Sequence, residues 1–130
     1  MFNKRKIHSF EKLTLSLSGM RIREEYEIVQ NGDKAQLSRY TVVYSDGEDN
    51  RRLEQRAEAD CDEVIEILNN CGILQWDGFY GKNPPGVLDG TMFSLEAELN
   101  DGRTVRASGS NNFPKHYHDF TNALYEILRR

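Results

Sequence analysis

The sequence predicts an α+β protein in which an antiparallel sheet of about six strands has two helices packed on one face, in the order ββββα-ββα. Three observations predict this class. Apolar residues alternate in several short runs, Asn-Gly or Asp-Gly pairs stand between those runs, and two stretches have helical spacing. With 130 residues, the chain is long enough for one modest core and too short for two ordinary domains. We therefore expect one α+β domain over residues 1–130.

The first three strands are predicted from alternation. The residues that share a face are Leu13, Leu15 and Leu17 in "KLTLSLSG", Tyr26 and Ile28 in "EEYEIVQ", and Tyr40, Val42 and Tyr44 in "LSRYTVVYS". The segments "NGD" and "SDGEDN" follow the second and third strands, and their residues tolerate the positive φ of tight turns. We expect two hairpins there.

The next segment, "RRLEQRAEADCDEVIEILNNCG", fits two structures. Its apolar residues suit one long helix, but Asp60 followed by Glu63 is a capping-box pattern that starts a helix inside the run. We interpret it as a strand from about residue 52 to residue 59, then a helix over 60–70 that ends at Gly72. Such a helix separates Cys61 from Cys71 by about 15 Å of rise, so we expect no disulfide between them.

The second half begins with a loop of about eighteen residues, "ILQWDGFYGKNPPGVLDG", and loops of that length are often functional. The alternating runs "TMFSLEAEL" and "RTVRASG" flank "NDG" and predict a hairpin. The last helix has its apolar face at Tyr117, Phe120, Leu124, Ile127 and Leu128.

Charge and hydropathy exclude several classes of partner. The chain has 21 acidic and 17 basic residues, a net charge of -4, so we expect no nucleic-acid partner. Neither a membrane-spanning run nor the apolar core of a signal peptide occurs, and we expect a cytoplasmic protein. The sequence contains neither the Walker loop that binds a nucleotide phosphate nor the nucleophile elbow of a serine hydrolase, and we expect no cofactor.

The second hairpin predicts where a site would lie. In an antiparallel pair the start of "TMFSLEAEL" lies beside the end of "RTVRASG", so the long loop and the stretch "SGSNNFPKHYH" meet at one edge of the sheet. The candidate ligand or partner surface is Trp76, Asp77, Asp89, Ser110, Asn111, Asn112 and His116.

Each candidate also has a structural interpretation. We expect Trp76 to anchor the long loop, and Asn111 or Asn112 to cap the final helix near Pro114. Residues 109–114 would then connect a strand to a helix, with Phe113 turned toward Trp76 or the core. His116 and His118 point about 200° apart on a helix, so we predict no metal site.

Three motifs resemble those of a group of small bacterial domains of unknown function. They are "WDGF" at 76–79, "VLDGTMFSL" at 87–95 and "DGRTVRASGSNNFPKHY" at 101–117. The resemblance covers roughly the second half of the chain. It implies a domain type and a bacterial source, and that the three segments belong together, but it implies no activity and no catalytic residue.

The leading functional hypothesis is a non-enzymatic binding or interaction module that uses the Trp76 loop edge or an exposed sheet face. The alternative is a small-molecule hydrolase that uses Ser110, His116 and Asp89, although no acid that would orient His116 is identifiable from spacing alone. We expect a monomer or a weak homodimer with an unknown protein or small-molecule partner.

Overall fold

Seven strands form one sheet in the computed structural model, which describes residues 6–19, 23–82, 85, 90–100 and 102–130. The strands are β1 (Phe10–Ser18), β2 (Arg23–Asn31), β3 (Lys34–Ser45), β4 (Glu48–Asp60), β5 (Tyr80–Gly81), β6 (Met92–Leu99) and β7 (Arg103–Ser110), in the spatial order β4-β3-β2-β1-β6-β7-β5. The helices are α1 (Cys61–Asn70), a 3₁₀ helix (Ile73–Trp76) and α2 (Tyr117–Leu128). The predicted α+β class and the order ββββα-ββα are confirmed.

The sheet is mixed, whereas the sequence predicted a purely antiparallel sheet of about six strands. The additional strand is β5, in which Tyr80 and Gly81 pair in parallel with Ser108 and Gly109 of β7. A two-residue strand is too short for any alternation to be read from the sequence. Its pairing arises because the chain after the 3₁₀ helix follows the edge of β7 in the same direction as β7.

Helices α1 and α2 cover one face of this sheet and share a single core with it. The alternation predicted for β1 is confirmed, because Leu13 and Leu15 are buried and the intervening Thr14 is half-buried. In β2, Tyr26 and Ile28 are also buried, as predicted. The opposite face of the sheet carries no helix from the described part of the chain.

The ambiguous segment is a strand followed by a helix, as predicted, with β4 ending at Asp60 and α1 beginning at Cys61. The capping-box interpretation is wrong, because Asp60 precedes the helix without a side-chain capping bond. Its carboxylate instead accepts a hydrogen bond from Lys34 Nζ at 2.5 Å, and Glu63 pairs with Arg130. Two cations thus replace the backbone N–H groups as partners of these carboxylates. Gly72 follows the helix with φ of 69°, as a C′ glycine should.

Cys61 and Cys71 are free thiols at opposite ends of α1. Burial raises the pKa of both, and the nearby Asp33, Asp62 and Asp60 raise the pKa of Cys61 further.

No helix within the described ranges is long and apolar enough to cross a membrane.

Candidate functional site

Trp76 lies in the core, where 2% of its surface is exposed. Its indole stacks on Tyr117 with ring centroids 6.0 Å apart and meets Phe120 edge-on at 5.6 Å. The indole Nε1–H donates to the carbonyl oxygen of Lys115 at 3.1 Å. Trp76 therefore holds the 3₁₀ helix against the start of α2, and its ring is not available to a ligand.

Asp77 fastens the same segment to β7. Its Oδ1 accepts a hydrogen bond from the backbone N–H of Arg106 at 3.0 Å, and Gly78 N–H donates to the Arg106 carbonyl at 2.9 Å. The side chain is thus engaged with the backbone of the sheet edge. Asp89, the remaining acidic candidate, lies outside the described residues.

Neither asparagine caps α2, so that expectation is wrong. Asn111 Oδ1 accepts from the Thr91 N–H at 3.0 Å, and Asn112 Nδ2 lies 3.5 Å from the carbonyl oxygen of Lys82. The residue before α2 is His116, with φ of 69° and no side-chain capping bond. The loop from β7 bends at Asn111, where φ is 54°, and its amides bind the neighbouring loop instead of the helix.

His116 contacts an acid that sequence spacing did not identify. Its Nδ1 lies 3.0 Å from Oδ2 of Asp119, three residues later, and both side chains are largely exposed. The pair lines a surface concavity of about 440 Å³ together with Tyr117. Burial raises the pKa of Tyr117, so its hydroxyl stays protonated at neutral pH. Ser110 is not part of this concavity.

Phe113 packs as the sequence predicted, against the core near the long loop. Its ring lies 4.5 Å from that of Tyr117 and 5.5 Å from that of Phe93. Tyr117 separates it from Trp76.

Among the described residues, no cluster of three His, Cys, Asp or Glu side chains is arranged to hold a metal ion.

The uncovered face of the sheet has two different halves. Over β2, β3 and β4, long side chains fill the surface: Arg51 lies 4.1 Å from the centre of the Tyr40 ring and bonds Glu25 at 2.9 Å. Arg56 donates to Ser38 Oγ at 3.0 Å and to the Tyr40 hydroxyl at 3.2 Å. Ser38 and Tyr40 are consequently buried, although neither α1 nor α2 covers them.

The other half, over β1, β6 and β7, carries small hydroxyl side chains. In one cross-strand row Ser16 faces Ser94 and Ser94 faces Ser108; in the next, Ser18 faces Met92 and Met92 faces Ser110. Because serines are short, this half contains a hollow of about 380 Å³. We call it the serine-lined depression, defined by these five serines with Tyr80, Met92 and Lys82.

Four hydroxyls in the serine-lined depression have no partner among the described residues. Within the part of the chain that the structure describes, the side chains of Ser16, Ser18, Ser94 and Ser108 make no hydrogen bond. Tyr80 beside them is 70% exposed and Met92 is 52% exposed. The surface therefore offers hydrogen-bonding groups next to exposed apolar groups.

Only Ser110 of this set was a candidate from the sequence. The signal for the others was the polar positions of the alternating strands, Ser16 and Ser18 in one and Ser94 in another. Their convergence depends on β1 pairing with β6, which are separated by most of the chain.

Comparison of the chain with models of protein families, with curated proteins and with solved structures finds no match. The resemblance to small bacterial domains in the second half stays a prediction. No residue role is therefore assigned from a relative.

Proposed function

We propose that this protein is a non-enzymatic binding module and that the serine-lined depression is its ligand site. The observation that carries the proposal is the group of four hydroxyls, unpartnered among the described residues, beside the exposed side chains of Tyr80 and Met92. Ligand sites combine concavity and apolar surface with a few convergent polar groups. The serine-lined depression has all three properties.

Its size favours a small molecule over a protein partner. A volume of about 380 Å³ falls within the roughly 300–1,000 Å³ range of small-molecule sites. The area that β1, β6 and β7 share is three strands wide and about eight residues long, so it covers only about 14 Å by 26 Å, or roughly 400 Å². A stable protein interface buries about 800 Å² on each partner.

The hydrolase alternative receives less support from the positions of its residues. Ser110 lines the serine-lined depression, whereas His116 and Asp119 line the other concavity. A serine nucleophile needs its base within hydrogen-bond reach. Asp119 orients the imidazole of His116, but no serine or cysteine is among the described residues that line this concavity.

A fragment screen by protein-observed NMR tests the proposed site and does not require the ligand to be identified first. The library contains neutral, acidic and basic fragments, and the ¹⁵N-labelled full chain reports where each one binds. We expect saturable shifts clustered on β1, β6 and β7, and their loss in Ser94→Leu, which fills the centre of the depression. Val43→Leu, at an exposed site far along β3, is the matched control. Hits that cluster elsewhere, or no hits at all, would overturn the proposal.

A further inference from the structure

We infer that the ligand of the serine-lined depression is a neutral saccharide of one or two pyranose rings. The inference rests on the proposed function and adds the ligand's chemical class. It follows from the charge of the lining, the spacing of the hydroxyls and the position of Tyr80.

The charge of the lining disfavours an ionic ligand. Among the described residues of the depression, Lys82 is the one that carries a formal charge, and its side chain is exposed. The nearest charges in the adjoining row, Glu96 and Arg106, are bonded to each other at 3.0 Å. A cationic ligand would find no carboxylate in the described lining, and an anion would have one solvated ammonium group to offset its desolvation. An uncharged, polar ligand has neither penalty.

The spacing of the hydroxyls suits a polyol. Neighbouring strands are about 4.8 Å apart, so hydroxyls along the row of Ser16, Ser94 and Ser108 repeat at about the distance between alternate equatorial hydroxyls of a pyranose ring. A serine hydroxyl both donates and accepts, which matches the same dual capacity of a sugar hydroxyl. The row can therefore bond a sugar without any change in protonation.

Tyr80 supplies the apolar contact that a sugar also needs. It pairs with Ser108 and so stands at the end of the hydroxyl row, with its side chain 70% exposed. The C–H face of a pyranose is apolar, and a tyrosine ring offers it a large surface at a low entropy cost. Met92, in the adjacent row, is flexible enough to adapt its contact to the ring.

The test is an NMR titration of the labelled full chain with glucose, maltose, cellobiose and N,N′-diacetylchitobiose, and with glucose 6-phosphate as the anionic comparison. We expect at least one neutral sugar to saturate shifts on β1, β6 and β7 with a Kd below about 10 mM. Tyr80→Ala should weaken that sugar by about tenfold, whereas Tyr80→Phe should retain most of the affinity. Tyr44→Ala is the control, because Tyr44 is also 70% exposed but lies on the other half of the sheet.

Three results would overturn the inference: no neutral sugar binds at about 50 mM, the shifts lie outside these strands, or glucose 6-phosphate binds more tightly than every neutral sugar. The fragment screen separates the two proposals. If fragments bind the depression and sugars do not, the saccharide proposal is wrong and the binding-module proposal stands. If neither fragments nor sugars bind there, both proposals are wrong.

Discussion

Asn111 and Thr91 are joined by two hydrogen bonds that close the open end of the β6–β7 hairpin. The Thr91 N–H donates to Asn111 Oδ1 at 3.0 Å, and the Asn111 N–H donates to the Thr91 carbonyl oxygen at 2.9 Å. The Asn111 amide also occupies the space that a Cβ on Gly90 would need. Asn111 has φ of 54°, a conformation that asparagine tolerates better than most residues. This pair fixes the loop that leaves the serine-lined depression.

Asn111→Ala should lower the free energy of unfolding by about 1–2 kcal/mol, because alanine lacks the acceptor and resists the left-handed conformation. Asn111→Asp keeps both properties and should cost less than about 0.5 kcal/mol. Asn112→Ala is the matched control, since its side chain is exposed and its bond to Lys82 is long, at 3.5 Å. Urea unfolding measures all three. Equal losses for the two alanine variants would contradict this role for Asn111.

His116 provides a prediction about backbone strain. It has φ of 69° immediately before α2, in the region that favours glycine. His116→Gly should therefore be more stable than His116→Ala by about 1 kcal/mol, as both lose the same exposed contact with Asp119. Thermal unfolding of the two variants compares them directly. An alanine variant as stable as the glycine variant would show that the left-handed conformation is not retained at this position.

Trp76→Phe should lower the free energy of unfolding by about 2–3 kcal/mol. The smaller ring leaves a cavity next to Phe120 and removes the donor that satisfies the carbonyl of Lys115. Because Trp76 is the single tryptophan, circular dichroism rather than fluorescence must follow the unfolding of the variant. Tyr80→Phe, on the exposed face, is the control and should be nearly neutral. A cost of Trp76→Phe that matches this control would contradict the anchoring role.

Glu63 and Arg130 predict a specific dependence of stability on pH. Arg130 Nη1 and Nη2 donate to the two carboxylate oxygens of Glu63 at 2.9 and 2.5 Å, linking α1 to the end of α2. These hydrogen bonds, and then the charge of Arg130, hold the pKa of Glu63 below its ordinary value of 4.5. Because the folded pKa is lowered, the stabilisation is complete above about pH 4.5 and is lost as the pH falls through the folded pKa.

The difference in melting temperature between the parent and Glu63→Gln should thus be present near neutral pH and should shrink at about pH 3. Added salt should also reduce it, since Arg130 is exposed and Glu63 is half-buried at the surface. Glu66→Gln, on the exposed side of the same helix, is the control for the loss of one negative charge from α1. The same difference at both pH values would mean that the pair does not form in solution.

Most strands and both helices were predictable because their signals are local. Each signal is formed by residues that are close together in the chain. Examples are the alternation around Leu13 and Leu15, the glycine after α1, and the helical spacing that ends at Leu128. The partner of Asp60 was not predictable, because Lys34 is 26 residues away. The contact between His116 and Asp119 is also local, since the two residues are three apart in the chain. Many other polar pairs have the same spacing, however, and nothing in the sequence distinguishes this one.

The sequence by itself determined the class of the fold, the order of its longer elements and the covered faces of β1 and β2, because hydrophobic periodicity is a property of contiguous residues. In β3 the helices instead cover the face of Ala35 and Leu37, and Tyr40 lies on the other face. Tertiary structure alone decided the rest. It added β5 beside β7 and placed the serines of β1 next to Ser94 and Met92 of β6. These outcomes depend on pairings between distant strands, whose energies are set by side chains that meet only after the chain has folded. Without the pairing of β1 with β6, Ser16 and Ser18 would not lie beside Ser94 and Met92.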